Sequence, residues 1–332
     1  MDAFTHGLAS YSITRALFPR ASRTTVIGAV LAGCAANLDF VSAGISPSAF
    51  LNWHRTATHS VVGTLVLTVV FAIAATLVTR ARAKPDSFRT ILLALFAACT
   101  LHLAMDMTQN ESVQVFWPFR GQRYSADWVA HFDLWILLIL LAGALLPQLL
   151  GLVTEEIGAK SKAPRGRVGA VIALLLIFGY IGARAVLHGN AVAMMEARAY
   201  RGDLPRRVAA FAESDSPFHW RGLVETERAF YDLDLSVAPG SSFNPDGGVV
   251  SYKPESSAPL DAARATESVR RFLEVARFPK ASVEKTNTGY RVLVRDLAAQ
   301  RDAHSGPHVV AIVETDANAK ILSDELAWDN RT

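Results

Sequence analysis

The segment TLHLAMDMTQ carries His102 and Asp106 four residues apart. On a helix that spacing sets an imidazole and a carboxylate on one face with Cβ atoms about 6 Å apart, near enough to grip one cation from the same side. A second cluster, NWHRTATHS, holds His54, Arg55 and His59 directly before the uncharged run SVVGTLVLTVVFAIAATLVT. Histidines five apart across a helix start can aim at a common point, and Thr58 or Ser60 can cap the helix that follows. His6 near the start and Asp39 after an apolar run supply two further candidate ligands. Imidazole and carboxylate in the absence of thiolate suit zinc, manganese or iron. A cation held with open positions suits hydrolysis, because it lowers the pKa of water towards about 7 and polarises an ester while Asp106 or Asp39 bridges metals or takes the proton. Arg55 can hold a phosphate or a developing oxyanion through its planar fork. Plainer roles stand beside these: Asp106 capping its helix or pairing with Arg123, His102 bonded to a neighbouring helix, and Arg55 anchored at an interface.

The elements that must position these residues are membrane helices. The chain of 332 residues is 51% hydrophobic and only 19% charged, which is unusual for a soluble protein of this size. Residues 60–79 and 134–153 carry no charge and reach the roughly 20 residues needed to cross about 30 Å of hydrocarbon. Segments 24–38, 90–105 and 168–183 are uncharged and slightly short. Segment 2–18 either crosses as a short helix, which brings the total to about six membrane helices, or lies along the interface. Arg80, Arg82, Lys84 and Arg89 in one connector, and Lys160, Lys162, Arg165 and Arg167 in another, mark both as cytoplasmic. The opposite face then collects His6, Asp39, His54, His59, His102 and Asp106 from four separate segments at one membrane level, and this convergence predicts a metal site.

After residue 189 charges return in short alternating runs. FHWRGLVETERAFYDLDLSV reads as strands, PLDAARATESVRRFLEVARF as an amphipathic helix, and HVVAIVETDANAKILSDEL as a hairpin turning near Asp316 to Ala319. The expected fold is therefore an all-α polytopic membrane bundle over residues 1–189 followed by a small α+β extracytoplasmic domain over 190–332. A formal charge of +3 with no basic tract gives no reason to expect nucleic acid. Cys34 and Cys99 both fall in apolar segments and form no disulfide framework or CxxC site. MDAFTHGLAS lacks the basic region and apolar core of a cleavable signal, so it is expected to be retained.

MDAFTHG, HRTATHS, HLAMD and VQVFWPFRGQRYSADW, in that order, resemble the YdjM-like metal-dependent hydrolases of bacterial inner membranes. The match covers about residues 1–140, and SPFHWRGLVET is similar to the start of the outer domain in longer members. Where the family has Pro-Asp-x-Asp this chain has Ala36-Asn37-Leu38-Asp39, so Asp39 alone can serve as an anionic ligand there. Asp133 matches a family aspartate and is expected to orient a ligand histidine from outside the metal shell, with Asp127, four residues before His131, beside it. The resemblance, with its distant likeness to zinc-dependent phospholipase C and P1-type nucleases, implies a multi-pass inner-membrane enzyme that uses a divalent metal, zinc first and manganese second. Its expected substrate is a lipid or lipid-linked phosphoester at the outer face, with the bilayer as its surroundings and an unidentified protein as a partner for the C-terminal domain. Two other classes compete: a non-catalytic scaffold presenting that domain to its partner, and a transporter binding a cation in transit. The transporter would need polar residues deep in several spans, whereas span 134–153 offers only Gln148.

Overall fold

A computed structural model describes residues 1–80, 86–156, 166–299 and 307–329. The basic residues Arg82, Lys84, Lys160, Lys162 and Arg165 lie outside the described residues. The N-terminal part is helical: α1 (Ala3–Leu17), α2 (Arg23–Ala35), a 3-10 stretch (Ala36–Gly44), α3 (Pro47–Trp53), α4 (Val61–Thr79), α5 (Phe88–Met107), α6 (Leu134–Glu156) and α7 (Arg167–Glu196). Four of these stretches are long and apolar enough to cross a membrane, namely Arg23–Gly44, Val61–Thr79, Phe88–Met107 and Arg167–Glu196, while Leu134–Leu149 is a shorter apolar helix.

Several helices start where a short polar side chain takes their free amides. Asp2 accepts from the amides of Phe4 and Thr5 at α1, Ser22 from Thr25 at α2, Ser60 from Gly63 at α4, and Ser87 from Thr90 at α5. The helices then pack through small residues. Ala29, Ala32, Ala72, Ala75, Ala94 and Ala98 form one buried cluster with Ile91 and Leu95 between α2, α4 and α5. A second cluster joins α1, α5, α6 and α7 through Ala9, Met105, Ile136, Leu140, Ala170 and Leu174. Lipid tails are as apolar as leucine, so close approach of small side chains is what holds such helices together. At Gly33 an added Cβ would lie 1.9 Å from Ser10 Oγ, which fixes how near α1 and α2 come.

By contact the described chain forms two compact units, one of residues 1–39, 55–189 and 211–218, the other of 40–54, 190–210 and 219–332. The single cut after 189 read from the sequence thus lacks two exchanged segments, because tertiary packing across a long chain leaves no local signal. The second unit carries two four-stranded sheets with strands in chain order. In one, β2 (His219–Glu225), β3 (Ala229–Ser236) and β4 (Val249–Tyr252) follow β1 (Arg207–Ala212); in the other, β5 (Pro279–Lys285), β6 (Gly289–Asp296), β7 (Val309–Asp316) and β8 (Ile321–Trp328) form a meander. Val292, Val294, Val309, Ala311 and Val313 pack against Leu260, Ala263, Val269 and Phe272, and Leu51 of α3 joins the same core. The helix expected over 259–278 is broken into α8 (Ala258–Arg264) and α9 (Glu267–Val275). The β7–β8 turn falls where the sequence places it, with Ala319 taking a positive φ of 64°.

Candidate metal centre

Helix α5 is the spine of the site. His102 and Asp106, one turn apart near its C-terminal end, are 3% and 0% exposed. α1 delivers His6 from its first turns, and the loop before α4 delivers His59; both are buried. Asp86, just before α5, accepts from the Ser22 amide at 2.8 Å and the Thr25 hydroxyl at 2.6 Å. α2 and α5 therefore start at the same level and end at the same level, which brings Asp39 towards Asp106.

The Asp106 carboxylate is the centre of the cluster. His6 Nε2 lies 2.9 Å from Oδ1, and His59 Nε2 and His102 Nε2 lie 3.0 and 3.2 Å from Oδ2. The Met1 amine is 2.7 Å and Arg55 Nη2 3.3 Å from Oδ1, and the Gln109 side-chain amide donates to the same oxygen. The His6 and His102 rings are 3.7 Å apart between centroids, and His59 and His102 are 5.1 Å apart. Ligand atoms of His6, His102 and Asp106 all fall within 4.8 Å of one another.

These side chains fit a divalent cation. His6 Nδ1, both ring nitrogens of His102 and Asp106 Oδ2 are buried and lack an aligned hydrogen bond. Although His102 Nε2 approaches Oδ2 at 3.2 Å, the geometry is wrong for a donor. Buried polar atoms are rarely left so, since each costs about 1–3 kcal/mol. A cation among nitrogen lone pairs and a carboxylate satisfies them together, and the donor set of imidazole and carboxylate is that of zinc or manganese.

Asp39 plays a different part from the ligand expected. Its Oδ2 accepts from the Arg55 amide at 2.7 Å and the Thr58 hydroxyl at 3.0 Å, and it faces His59 Nδ1 at 3.0 Å. This carboxylate–histidine arrangement fixes the ring so that Nε2 points at Asp106. Burial alone would lower the His59 imidazole, but the Asp106 and Asp39 carboxylates beside it outweigh burial and raise its pKa above the ordinary value. Arg55 adopts a left-handed φ of 56°, which is costly for a residue with a side chain. Bonds on both sides hold it there, its amide on Asp39 and its carbonyl accepting from Gln114 N at 3.0 Å. Its guanidinium, 4% exposed, faces Asp106, Gln109 Oε1 at 3.2 Å and Glu111 Oε2 at 3.1 Å. Arg123 donates to Thr56 Oγ1 at 3.2 Å, and burial with the Arg55 charge beside it lowers its pKa to about 10.

Of the other residues read from the sequence, His54 lies in the second unit, where its ring stacks on Phe50 with centroids 4.5 Å apart. Asp133, expected to orient a ligand, accepts instead from the amides of Trp135 and Ile136 and from Tyr180 Oη at 3.1 Å, so it caps α6 and ties it to α7. The reason is local: it stands immediately before the first residue of an apolar helix whose amides need an acceptor. Asp127 takes a left-handed φ of 59°, and its amide donates to Gln109 O at 3.2 Å. His131 Nδ1 lies 3.7 Å from Glu111 Oε2.

Gln109 and Glu111 were not singled out by sequence reading. Gln109 stands just past the end of α5, three residues after Asp106, so only its nearness to that carboxylate in the sequence pointed to it. Glu111 lies in a loop and carries no periodic signal.

No curated protein and no solved structure matches the chain. The model of one protein family, YdjM inner membrane protein, matches residues 1–191, a span that includes the whole histidine–aspartate cluster and every apolar helix around it. With more than half of its 332 residues matched, the chain belongs to the YdjM inner membrane protein family.

Proposed function

We propose that this inner-membrane protein is a metal-dependent hydrolase of lipid or lipid-linked phosphoesters, with α1 and α6 joining the four longer stretches to make six membrane helices and the site at the outer face. The observation that carries the reading is Asp106, a carboxylate at the end of an apolar helix ringed by three imidazoles, with His6 Nδ1 and both His102 nitrogens buried and lacking an aligned hydrogen bond. An ionisable group in such a segment costs up to about 3 kcal/mol and is retained where it has a function.

His6, His59, His102 and Asp106 would hold the cation. When bound, zinc or manganese supplies Lewis acidity to a phosphoryl oxygen and acidity to a water. Asp39 keeps His59 in the tautomer that leaves Nε2 for the site. Arg55 brings a permanent positive charge to an anionic substrate, and Glu111 holds the guanidinium in place. Glu111 is the carboxylate nearest that charge outside the ligand set and is our candidate to take the proton from water.

The test is metal analysis of detergent-purified protein alongside turnover of vesicle phospholipid. Wild type should carry one or more zinc or manganese ions per chain, and His102→Ala and Asp106→Ala should each lose both metal and turnover. Metal-free wild type, purified without chelators, would defeat the proposal and favour the scaffold. Flux of the ion through the protein in liposomes would favour the transporter.

A further inference from the structure

The motif VQVFWPFRGQRYSADW leads directly from the site. Its turn is closed by the amides of Phe119 and Arg120, which donate to Phe116 O at 2.9 and 3.1 Å, and by the Gln114 side chain on Gly121 O at 2.8 Å. At the tip Phe116, Trp117 and Phe119 are 45%, 37% and 82% exposed, an unusual display for a tight, hydrogen-bonded turn. Two backbone bonds fix where the tip stands. Gln114 N donates to Arg55 O at 3.0 Å, and Val61 N, in the first residue of the α4 span, donates to Val115 O at 2.9 Å. The turn is therefore level with the point where α4 enters the hydrocarbon, and Val61, Leu65, Val66 and Val69 continue the exposed apolar surface along that span. Aromatic rings at this level sit among headgroups and upper acyl chains, where their apolar bodies are buried. Arg120, exposed at the end of the turn, adds a charge that pairs with lipid phosphate.

We infer that the Phe116–Arg120 turn is a lipid-gripping lip: its three aromatic rings enter the outer-leaflet boundary and hold the acyl part of a phospholipid while the phosphoester lies at the histidine–aspartate cluster. This deepens the proposed function and rests on it for the substrate. The placement in lipid, however, stands on the bond to α4 and the exposed rings.

The test separates the two. In a Cys34→Ala, Cys99→Ala background, Phe119→Cys carrying an environment-sensitive fluorophore is reconstituted in phosphatidylcholine–phosphatidylglycerol nanodiscs containing lipids spin-labelled at a shallow or a deep acyl carbon. We expect blue-shifted emission, quenched more by the shallow label. Water-like, unquenched emission would overturn the lip, as would blue-shifted emission that escapes lipid quenching and disappears on dilution, the mark of a second copy covering the rings. In a Phe116→Ser, Trp117→Ser, Phe119→Ser variant that retains wild-type metal content, the ratio of turnover on vesicle phospholipid to turnover on soluble dibutyryl phospholipid should fall about tenfold or more. An unchanged ratio would overturn substrate gripping. If wild type turns over neither lipid, the hydrolase reading fails and the quenching alone decides the placement of the lip.

Discussion

At the residue scale, the chemistry of the site depends on which carboxylate is a ligand and which is a support. Asp106 has three imidazoles on it, whereas Asp39 spends one oxygen on the Arg55 amide, the Thr58 hydroxyl and His59 Nδ1. Asp39→Asn should therefore keep the metal site but weaken it about 10- to 100-fold, as expected for a residue that orients a ligand. His59→Ala, which removes a ligand, should weaken it further. Competition with a fluorescent zinc chelator measures both, and an Asp39→Asn protein that loses metal as completely as Asp106→Ala would make Asp39 a ligand after all. The residue types at the site were readable from the sequence because His102 and Asp106 share a helix face and His59 stands at a cap. The division between ligand and support was not, since it depends on where the 3-10 stretch Ala36–Gly44 turns Asp39, and that turn has no periodic signature. His54 shows the same limit: two histidines in one short loop look equivalent, yet Arg55 between them has a left-handed backbone, and His54 stacks on Phe50.

At the scale of elements, α2, α4, α5 and α6 were legible to within about three residues of their ends, because charge-free runs mark them. Helix α7 instead runs to Glu196, well beyond the expected end at 183, because Arg184 and His188 interrupt the apolar run without ending the helix. What the sequence hides is how the caps and small residues aim the site. Gly63, in the first turn of α4, lies so close to the loop that an added Cβ would stand 2.0 Å from Ala57 O, a backbone atom. Gly63→Ala should push the Arg55–His59 loop off its helix, cost about 1–3 kcal/mol and lower metal affinity without touching a ligand; chelator competition and thermal unfolding check both. Asp133 offers a pH test of the α6 cap. Burial is the main cause that raises its carboxyl above the usual aspartate range. A raised carboxyl pKa means that the folded state prefers the protonated form, so the charge at neutral pH is a liability that disappears as pH falls through the raised value. Asp133→Asn keeps an acceptor for the Trp135 and Ile136 amides while removing that charge. It should unfold at an equal or higher temperature than wild type at pH 7, with the difference closing on acidification. Asp133→Ala, which removes the acceptor as well as the charge, should lie about 1 kcal/mol below Asp133→Asn at any pH. A wild-type advantage over Asn that grows as the pH rises would reverse the assignment.

At the scale of the molecule, the site exists because helices alternate in direction. His6 is at the start of α1, His59 just before α4, and His102 and Asp106 at the end of α5, so the first turn of two helices and the last turn of a third meet at one end of the bundle. The opposite end carries Arg20 before α2, Arg23 at its first residue and Arg89 at the start of α5. Basic connectors stay cytoplasmic; on that rule we propose the cluster at the outer face, and expect the chain after Glu196 on the outer side of the membrane as well. Cysteine labelling in spheroplasts decides this orientation. In the Cys34→Ala, Cys99→Ala background, Ser241→Cys, on an exposed loop of the second unit, should react with a membrane-impermeant maleimide in intact spheroplasts, and Arg89→Cys only after permeabilisation. The reverse pattern would turn the bundle over. It would leave the His6, His59, His102 and Asp106 geometry intact, but a phosphoesterase acting on outer-leaflet lipid would then have its site on the wrong side of the membrane.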